Sequence, residues 1–241
     1  MRIIKTRSYP EMSRRAAGII AAQVTLKPDS VVGFATGETP IGTYKSLIER
    51  HMSGDVDFSS VKAVNLDEYK GLSREDAQSY FHFMDVNLFS CINIPPGNRH
   101  IPDGLAADPA SECGRYDAVI ERCGGIDLQL LGIGNNGHIG FNEPGDEFTK
   151  YTHVVDLAEN TIAANSRFFE RIEDVPVRAY TMGILTIMRA RRILLIASGA
   201  HKSKILRDAL CGAITPKVPA SILQLHGDLT VVGDEDALSM F

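Results

Sequence analysis

The chain has 241 residues, of which 44% are hydrophobic, and this suits one sizeable α/β domain with a continuous core. A formal net charge of -5 and a sequence pI near 5.8 provide no general positive field, which argues against nucleic acid or an anionic membrane as partner. No stretch is apolar enough to span a bilayer, and the amino-terminal segment MRIIKTRSYPEMSRR lacks the apolar core of a signal peptide, so we expect a cytoplasmic protein.

Four cysteines are scattered along the chain, at Cys91, Cys113, Cys123 and Cys211, without a CxxC pair. This spacing indicates neither a zinc knuckle nor a dense disulfide framework. We expect reduced, buried thiols.

Short apolar runs alternate with longer segments of helical periodicity, which is typical of a mostly parallel sheet with helices on both faces. The predicted strands cover residues 3–5, 31–35, 62–66, 127–132, 192–197 and 229–232. An amphipathic crossover helix is predicted in EMSRRAAGIIAAQVTLK, which Pro28 ends, and a second helix follows Pro40. Long functional loops are expected at 92–108 and 142–156. We therefore predict a single-domain α/β fold over residues 1–241, with a Rossmann-like, mostly parallel sheet.

The segment VVGFATGETPIGTYKSL indicates a buried strand, a turn and then the helix that Pro40 opens. Unpaired N–H groups and the positive end of the helix dipole can bind a phosphate at such a turn without net positive charge. The alternative is structural, with Gly37 making only the turn and Thr39 only capping the helix, and the local sequence does not separate the two. No Gly-Lys-Ser/Thr follows, so the turn is not a Walker A loop and ATP is not implied.

A second glycine-rich segment, GIGNNGHIGFNEPG at residues 132–145, follows a predicted strand and formally matches GxGxxG. That dinucleotide fingerprint requires a helix beginning inside the motif, whereas Gly140, Pro144 and Gly145 would break a helix here. We therefore predict a loop, hereafter the glycine-rich loop, at the carboxyl end of a strand, where open α/β sheets bind ligands.

The glycine-rich loop concentrates Asn136, His138, Asn142 and Glu143, which places an imidazole beside a carboxylate able to orient or charge it. Histidine suits proton transfer near neutral pH. A lone histidine is more often structural, but the flanking glycines and Glu143 favour a catalytic one. The spacing is not HExxH, and no cysteine or second histidine lies nearby in the sequence, so we predict no metal site.

Two carboxylates, Asp67 and Glu68, follow the predicted strand at 62–66 in NLDEY. They emerge at the same edge of the sheet as the two glycine-containing turns, where one of them can serve as a general base. An isolated Asp-Glu pair more often caps a helix or pairs with a lysine, so only convergence with the other loops favours the catalytic interpretation.

FATGETPIGTYK, NLDEY, LGIGNNGHIGFNEPG, ANSRFF and SGAHK together occur in an order and at spacings that resemble the glucosamine-6-phosphate deaminase family. The resemblance covers nearly the whole chain. Its discriminating residue is Glu143, because the related 6-phosphogluconolactonases share a similar core but lack this glutamate. The resemblance implies conversion of glucosamine 6-phosphate and water to fructose 6-phosphate and ammonia, with neither a metal nor an organic cofactor.

The resemblance also implies roles for individual residues. Asp67 would move the proton between C2 and C1 of the open-chain sugar, and His138 would open the pyranose ring. Glu143 and Asn136 would orient His138 and tune its charge. Many family members have aspartate where this chain has Asn136, so the negative charge beside the imidazole would depend more on Glu143.

At the phosphate end of the substrate, Gly37, Glu38 and Thr39 match the family's phosphate turn, with Glu38 contributing its backbone N–H. Arg167 in ANSRFF and Lys202 in SGAHK match the cations that close on the phosphate. Without the resemblance, both would be interpreted as ordinary solvated charges.

Three further expectations come from the resemblance. A lid at about residues 157–177 would carry Arg167 over the substrate. Allosteric members have arginine and lysine where this chain has His153-Val154-Val155, so we expect no activation by N-acetylglucosamine 6-phosphate. We also expect a monomer or small homo-oligomer.

Two alternative functions stay open at this point. One is a 6-phosphogluconolactonase, against which Glu143 argues. The other is a catalytically silent sensor of sugar phosphates, which would keep Thr39 and the phosphate-binding cations but would need neither Asp67 nor His138.

Overall fold

The computed structural model describes residues 1–158, 162, 171 and 174–241. Its strands are β1 (Arg2–Thr6), β2 (Val31–Phe34), β3 (Lys62–Asn65), β4 (Asp67–Tyr69), β5 (Arg99–His100), β6 (Leu128–Leu131), β7 (His153–Asp156), β8 (Arg178–Thr181), β9 (Arg192–Ala197) and β10 (Leu229–Asp234). Its α-helices are α1 (Tyr9–Leu26), α2 (Ile41–Met52), α3 (Tyr80–Asn87), α4 (Pro109–Arg122), α5 (Ile184–Met188) and α6 (Ser203–Cys211). Short 3-10 helices lie at Phe89–Cys91, Pro96–Asn98, Ala200–Lys202 and Pro219–Leu225.

The central sheet has seven strands in the order β1-β10-β9-β6-β2-β3-β5, and every neighbouring pair is parallel. Strands β2, β6 and β10 are buried along their whole length, so both faces of the sheet are covered. This confirms the predicted α/β fold with a mostly parallel sheet. All six predicted strands are present, each within one or two residues of its predicted bounds.

The two predicted helices are also confirmed, as α1 and α2. Helix α1 buries Met12, Ala16, Ile20 and Val24, which recur at four-residue spacing on one face. It packs closely against α2, since a Cβ atom at Gly42 would lie only 2.4 Å from Oγ of Ser13. Helix α1 begins two residues before the predicted segment, at Tyr9.

Successive strands of the chain are added to one side of β2 as far as β5, and from β6 onward they are added to its other side. Strands β3 and β5 extend the sheet from β2 toward one edge, whereas β6, β9, β10 and β1 extend it toward the other. Ligands of open α/β sheets bind at the carboxyl ends of the strands at such a reversal. The segments that leave this point are the turn after β2 and the glycine-rich loop after β6.

A second sheet, which the sequence patterns did not predict, joins β4, β8 and β7 in antiparallel pairs. Strand β4 has only three residues, and β7 lies within the predicted loop at 142–156. Neither strand shows an alternation of apolar and polar residues long enough to be recognised. The first residue of the small sheet is Asp67, a candidate base predicted from the sequence.

The side chains of Cys91 and Cys211 are exposed, so the prediction of buried thiols is wrong for both. Each is the last residue of a short helical segment, where the chain turns toward solvent. In the part of the chain that the structure describes, no helix combines the length and apolarity needed to cross a membrane.

Candidate active site

The glycine-rich loop contains no helix, which confirms its interpretation as a loop rather than a dinucleotide fingerprint. Its turns depend on Gly137 at φ 89° and Gly140 at φ 57°, a left-handed region that glycine enters without strain. The backbone N–H of Gly134 donates to the carbonyl of His138 at 2.9 Å. The chain therefore folds back on itself and presents the histidine at the carboxyl end of β6.

The imidazole of His138 belongs to a hydrogen-bonded trio with Glu143 and Asn136. Its Nδ1 lies 3.2 Å from Oε2 of Glu143, and the same oxygen accepts a hydrogen bond from Nδ2 of Asn136 at 2.6 Å. The amide oxygen of Asn136 accepts from the backbone N–H of His138 at 3.1 Å. A carboxylate facing Nδ1 favours the tautomer with the proton on that nitrogen, which leaves the Nε2 lone pair available.

Gly134 makes room for the imidazole. A Cβ atom at this position would lie 2.3 Å from Nε2 of His138, closer than any real contact allows. Gly132, two residues earlier, has open space around the same position. The glycines of the loop therefore have different roles, and Gly134 is the one that the histidine requires.

Asp67 opens β4 and is 5% exposed. Burial raises the pKa of its carboxyl to about 8, and the neighbouring charge of Glu68 adds to the effect. No residue that the structure describes donates a hydrogen bond to this carboxylate. A buried carboxyl without a donor and with a raised pKa has the properties expected of a general base.

Thr181 and Gly140 connect Asp67 to the glycine-rich loop. Thr181 pairs with Asp67 across β4 and β8, and its Oγ1 accepts a hydrogen bond from the backbone N–H of Phe141 at 3.0 Å. A Cβ atom at Gly140 would lie 3.5 Å from Oδ2 of Asp67. The structure thus brings Asp67 next to the turn that separates His138 from Glu143. Sequence reasoning missed Thr181, since AYTMG carries no recognisable motif.

The turn at Gly37, Glu38 and Thr39 leaves the carboxyl end of β2 and is only partly covered, with Gly37 at φ 96°. Thr39 does not cap α2, because Pro40 occupies the N-cap position and no side chain caps the helix. The structural alternative for Thr39 is therefore wrong, although the turn itself does need Gly37. Within the described ranges, the backbone N–H groups of Gly37 and Thr39 donate to no protein acceptor.

Lys202 follows β9 and reaches back to the glycine-rich loop. Its Nζ donates to the carbonyl of Ile133 at 2.7 Å and to Oδ1 of Asn135 at 2.6 Å. Partial burial lowers the pKa of this lysine. Asn135 is a second contact that sequence reasoning missed, although it lies inside the GIGNNG motif. Arg167 and most of the lid predicted at 157–177 fall outside the described residues.

The carboxyl ends of three neighbouring strands therefore supply the candidate site: β2 its turn, β6 the glycine-rich loop and β9 the lysine. The small sheet adds Asp67. Among the side chains that the structure describes, no group of three or more histidines, cysteines and carboxylates is spaced to hold a metal ion. Within the part of the chain that the structure describes, the arrangement joins a buried carboxyl and an oriented imidazole to the turn after β2 and to the ammonium of Lys202.

Known proteins share both this sequence and this fold. Residues 7–232 match the family described as glucosamine-6-phosphate isomerases/6-phosphogluconolactonase. A glucosamine-6-phosphate deaminase from Lachnoclostridium phytofermentans is 62% identical over 232 residues, covering 96% of this chain and 98% of the relative. Another from Halothermothrix orenii is 51% identical over 240 residues, covering 100% of both chains.

Among solved structures, one described as a monomeric glucosamine-6-phosphate deaminase superposes with a TM-score of 0.97 at 47% identity and covers 100% of both chains. A 6-phosphogluconolactonase from Trypanosoma brucei superposes with a TM-score of 0.79 at 19% identity, covering 100% of this chain and 98% of the other, and shares the fold alone. By sequence and by fold, the chain belongs to the family of glucosamine-6-phosphate isomerases and 6-phosphogluconolactonases.

Proposed function

We propose that the chain is a glucosamine-6-phosphate deaminase, which converts glucosamine 6-phosphate and water to fructose 6-phosphate and ammonia in amino-sugar catabolism. The observation that carries the proposal is the proximity of Asp67 to Gly140, which lies in the turn between the hydrogen-bonded residues His138 and Glu143. Two deaminases that are 62% and 51% identical over nearly the whole chain support it.

The first step of the proposed reaction is opening of the pyranose ring by His138. With Glu143 holding the Nδ1 proton, Nε2 accepts the proton of the C1 hydroxyl and then returns one to the ring oxygen. Glu143 stabilises the imidazolium that forms between these transfers, as the carboxylate of a catalytic triad does. Asn136 holds Glu143 in place by its 2.6 Å hydrogen bond.

Asp67 acts next, on the open-chain sugar. Its carboxylate removes the proton from C2 while the aldehyde oxygen at C1 gains one, which gives a C1–C2 enolamine. The proton returned at C1 then makes C2 an iminium carbon that water can attack. Hydrolysis then releases ammonia and leaves the ketone of fructose 6-phosphate. Every step is a proton transfer or an addition of water, so acids and bases suffice and we propose no cofactor.

The proposed phosphate site consists of Gly37, Glu38 and Thr39, together with Lys202 and Arg167. Backbone N–H groups of the turn and the Lys202 ammonium would bind the phosphate, which gives an acidic protein the local positive field it needs. Fixing the phosphate positions C1 and C2 against Asp67, so binding energy at one end of the sugar lowers the barrier at the other.

Glu143 favours the deaminase over the lactonase alternative, because it is the residue by which the resemblance distinguishes the deaminases from the lactonases. We further propose that residues 1–241 form one domain, with a lid at about 157–177. The protein would act in the cytoplasm as a monomer or small homo-oligomer, without activation by N-acetylglucosamine 6-phosphate. The monomeric deaminase with the same fold supports the monomer.

A substrate panel tests the proposal. Purified protein is incubated with glucosamine 6-phosphate, with the same sugar plus N-acetylglucosamine 6-phosphate, and with 6-phosphogluconolactone. We expect ammonia from the first two at equal, hyperbolic rates, and no turnover of the lactone. Lactone hydrolysis without ammonia would establish the lactonase, and calorimetric binding of glucosamine 6-phosphate without turnover would establish the sensor.

A further inference from the structure

Glu68 lies next to Asp67 in the chain, but its carboxylate has different partners. Oε1 of Glu68 accepts hydrogen bonds from the backbone N–H groups of Tyr69 at 2.8 Å and Tyr80 at 2.9 Å, and Oε2 accepts from that of Phe81 at 2.9 Å. Tyr80 and Phe81 are the first residues of α3, so the carboxylate satisfies N–H groups that the helix leaves unpaired. Glu68 is 2% exposed, so its buried carboxylate connects β4 to the start of α3 by hydrogen bonds.

Helix α3 in turn presents an aromatic ring to the glycine-rich loop. The ring of Tyr80 stacks on Phe141 at a centroid distance of 5.9 Å and an angle of 12°, and it lies 4.7 Å from Tyr69. Tyr69 is also 5.9 Å from Phe141. This aromatic cluster (Tyr69, Tyr80 and Phe141) joins β4, α3 and the loop. Phe141 lies between His138 and Glu143 in the chain, so the cluster supports the segment that carries both.

We propose that Glu68 is a positioning residue for the deaminase reaction. By fastening the start of α3 to β4, it holds the aromatic cluster, and through Phe141 it keeps the loop of His138 and Glu143 aligned with Asp67. The inference rests on the proposed function, because this alignment affects a rate only if both sides act on one sugar. A merely structural cap would stabilise α3 and leave the reaction unchanged.

Glu68 also acts on Asp67 through its charge. Its negative charge adds to the effect of burial in raising the pKa of Asp67. Burial raises the pKa of Glu68 itself to about 7, although three N–H groups and Arg74 oppose this shift. Other ionisable groups that interact with the charge of Asp67 include three buried or partly buried tyrosines whose own pKa values are raised, Tyr44 from α2, Tyr80 from α3 and Tyr116 from α4. Those tyrosines stay neutral over the working pH range, so removing Glu68 changes the charge beside Asp67.

Two variants separate the effect of the charge of Glu68 from the effect of its side-chain length. Glu68→Gln keeps the length of the side chain but removes the charge and turns an amide donor toward an N–H donor of α3. We expect kcat on its plateau to fall roughly tenfold, and the acid limb of kcat/KM to move to lower pH by roughly half a unit or more. Glu68→Asp keeps the charge but is one methylene too short for all three N–H groups. It should lower kcat without moving the acid limb.

The matched control is Glu112→Gln. Glu112 is a buried glutamate on α4 that pairs with Arg115 and accepts a hydrogen bond from the N–H of Asp103. Its loss should lower the melting temperature while leaving the acid limb in place. KM for glucosamine 6-phosphate should stay within about threefold of the unaltered protein in all three variants.

Ammonia release by the unaltered protein is measured first, since its absence would overturn the proposed function and the inference with it. If the protein is active, folded E68Q and E68D with unchanged kcat and acid limb overturn the inference alone. A rise in KM without loss of kcat overturns it too, because Glu68 would then support binding rather than alignment. Should E68Q not fold, the kcat of E68D decides.

Discussion

Nδ1 of His138 lies 3.2 Å from Oε2 of Glu143, so one carboxylate oxygen fixes which nitrogen of the imidazole carries the proton. Both side chains are mostly covered, with exposures of 22% and 11%. At such sites the attraction between a carboxylate and an imidazolium is stronger than in open water. In the proposed reaction, the loop geometry that creates this contact therefore determines how well His138 takes and returns a proton.

Replacing the carboxylate by an amide should weaken that function. The amide oxygen of Glu143→Gln can still accept from Nδ1 of His138 and from Asn136, but it adds no negative charge. We expect kcat to fall about 10²-fold, within the range of general acid–base catalysis, with KM nearly unchanged. Steady-state ammonia release measures both constants. A kcat within threefold of the unaltered protein would show that the imidazole does not depend on this charge.

A methyl group at position 134, next to the imidazole of His138, should displace that imidazole. Gly134→Ala places a carbon 2.3 Å from Nε2 of His138, and because the ring is partly exposed we expect it to move rather than the fold to fail. A shift of about 1 Å in a catalytic group can lower the rate about 10²-fold. Gly132→Ala is the control, with open space around the new methyl and an expected kcat within about twofold of the unaltered protein. Equal rates for the two variants would refute the placement of His138.

The frame of the fold and most of the site follow from local sequence. The strands at 31–34 and 128–131 were predictable from short, mostly apolar runs, and the glycines after them from the need for sharp turns. Asp67 and His138 could be placed at one edge of a parallel sheet because the carboxyl ends of parallel strands share that edge. Their roles came from resemblance, since neither residue type is specific alone.

The features that the sequence did not predict depend on contacts between residues that are far apart in the chain. The pairing of Asp67 with Thr181 joins two strands too short to leave a periodic signal. The contact of Lys202 with Asn135 links the segments that follow two different strands, β9 and β6, and nothing in either segment specifies the partner. The Asp-Glu pair shows the same limit, because both residues could cap a helix by sequence and only the packing of α3 selects Glu68.

Removing the lysine at the phosphate end should weaken substrate binding. Lys202→Met preserves the aliphatic stem but loses a charge-assisted hydrogen bond, so we expect KM to rise roughly 10- to 100-fold. Inhibition by inorganic phosphate should weaken in parallel. Lys204→Met is the control, since Lys204 is 80% exposed and, among the described residues, its ion-pair partner is Asp208 one turn away. If both variants have the KM of the unaltered protein, the phosphate does not bind at Lys202.

The pH dependence of kcat/KM should reveal the ionisation of the buried carboxyl of Asp67. Asp67 accepts a proton only when ionised, and its pKa near 8 predicts that kcat/KM falls as the pH drops below about 8. The usual pKa is 3.8, so between about pH 4 and 8 the folded chain holds a proton that the unfolded chain has released, and stability falls as the pH rises. Asp67→Asn should therefore be more stable at pH 8, by on the order of 1–3 kcal/mol, in urea unfolding. An equal or lower stability would contradict the raised pKa.

The same variant gives the most direct measurement of the central claim, that Asp67 moves the proton between C2 and C1. Ammonia release from glucosamine 6-phosphate is compared for Asp67→Asn and the unaltered protein, with calorimetry of substrate binding on both. We expect turnover to fall at least 10³-fold while the dissociation constant changes less than about fivefold, because the amide preserves the shape but cannot accept the proton. Turnover within tenfold of the unaltered protein would show that another group is the base.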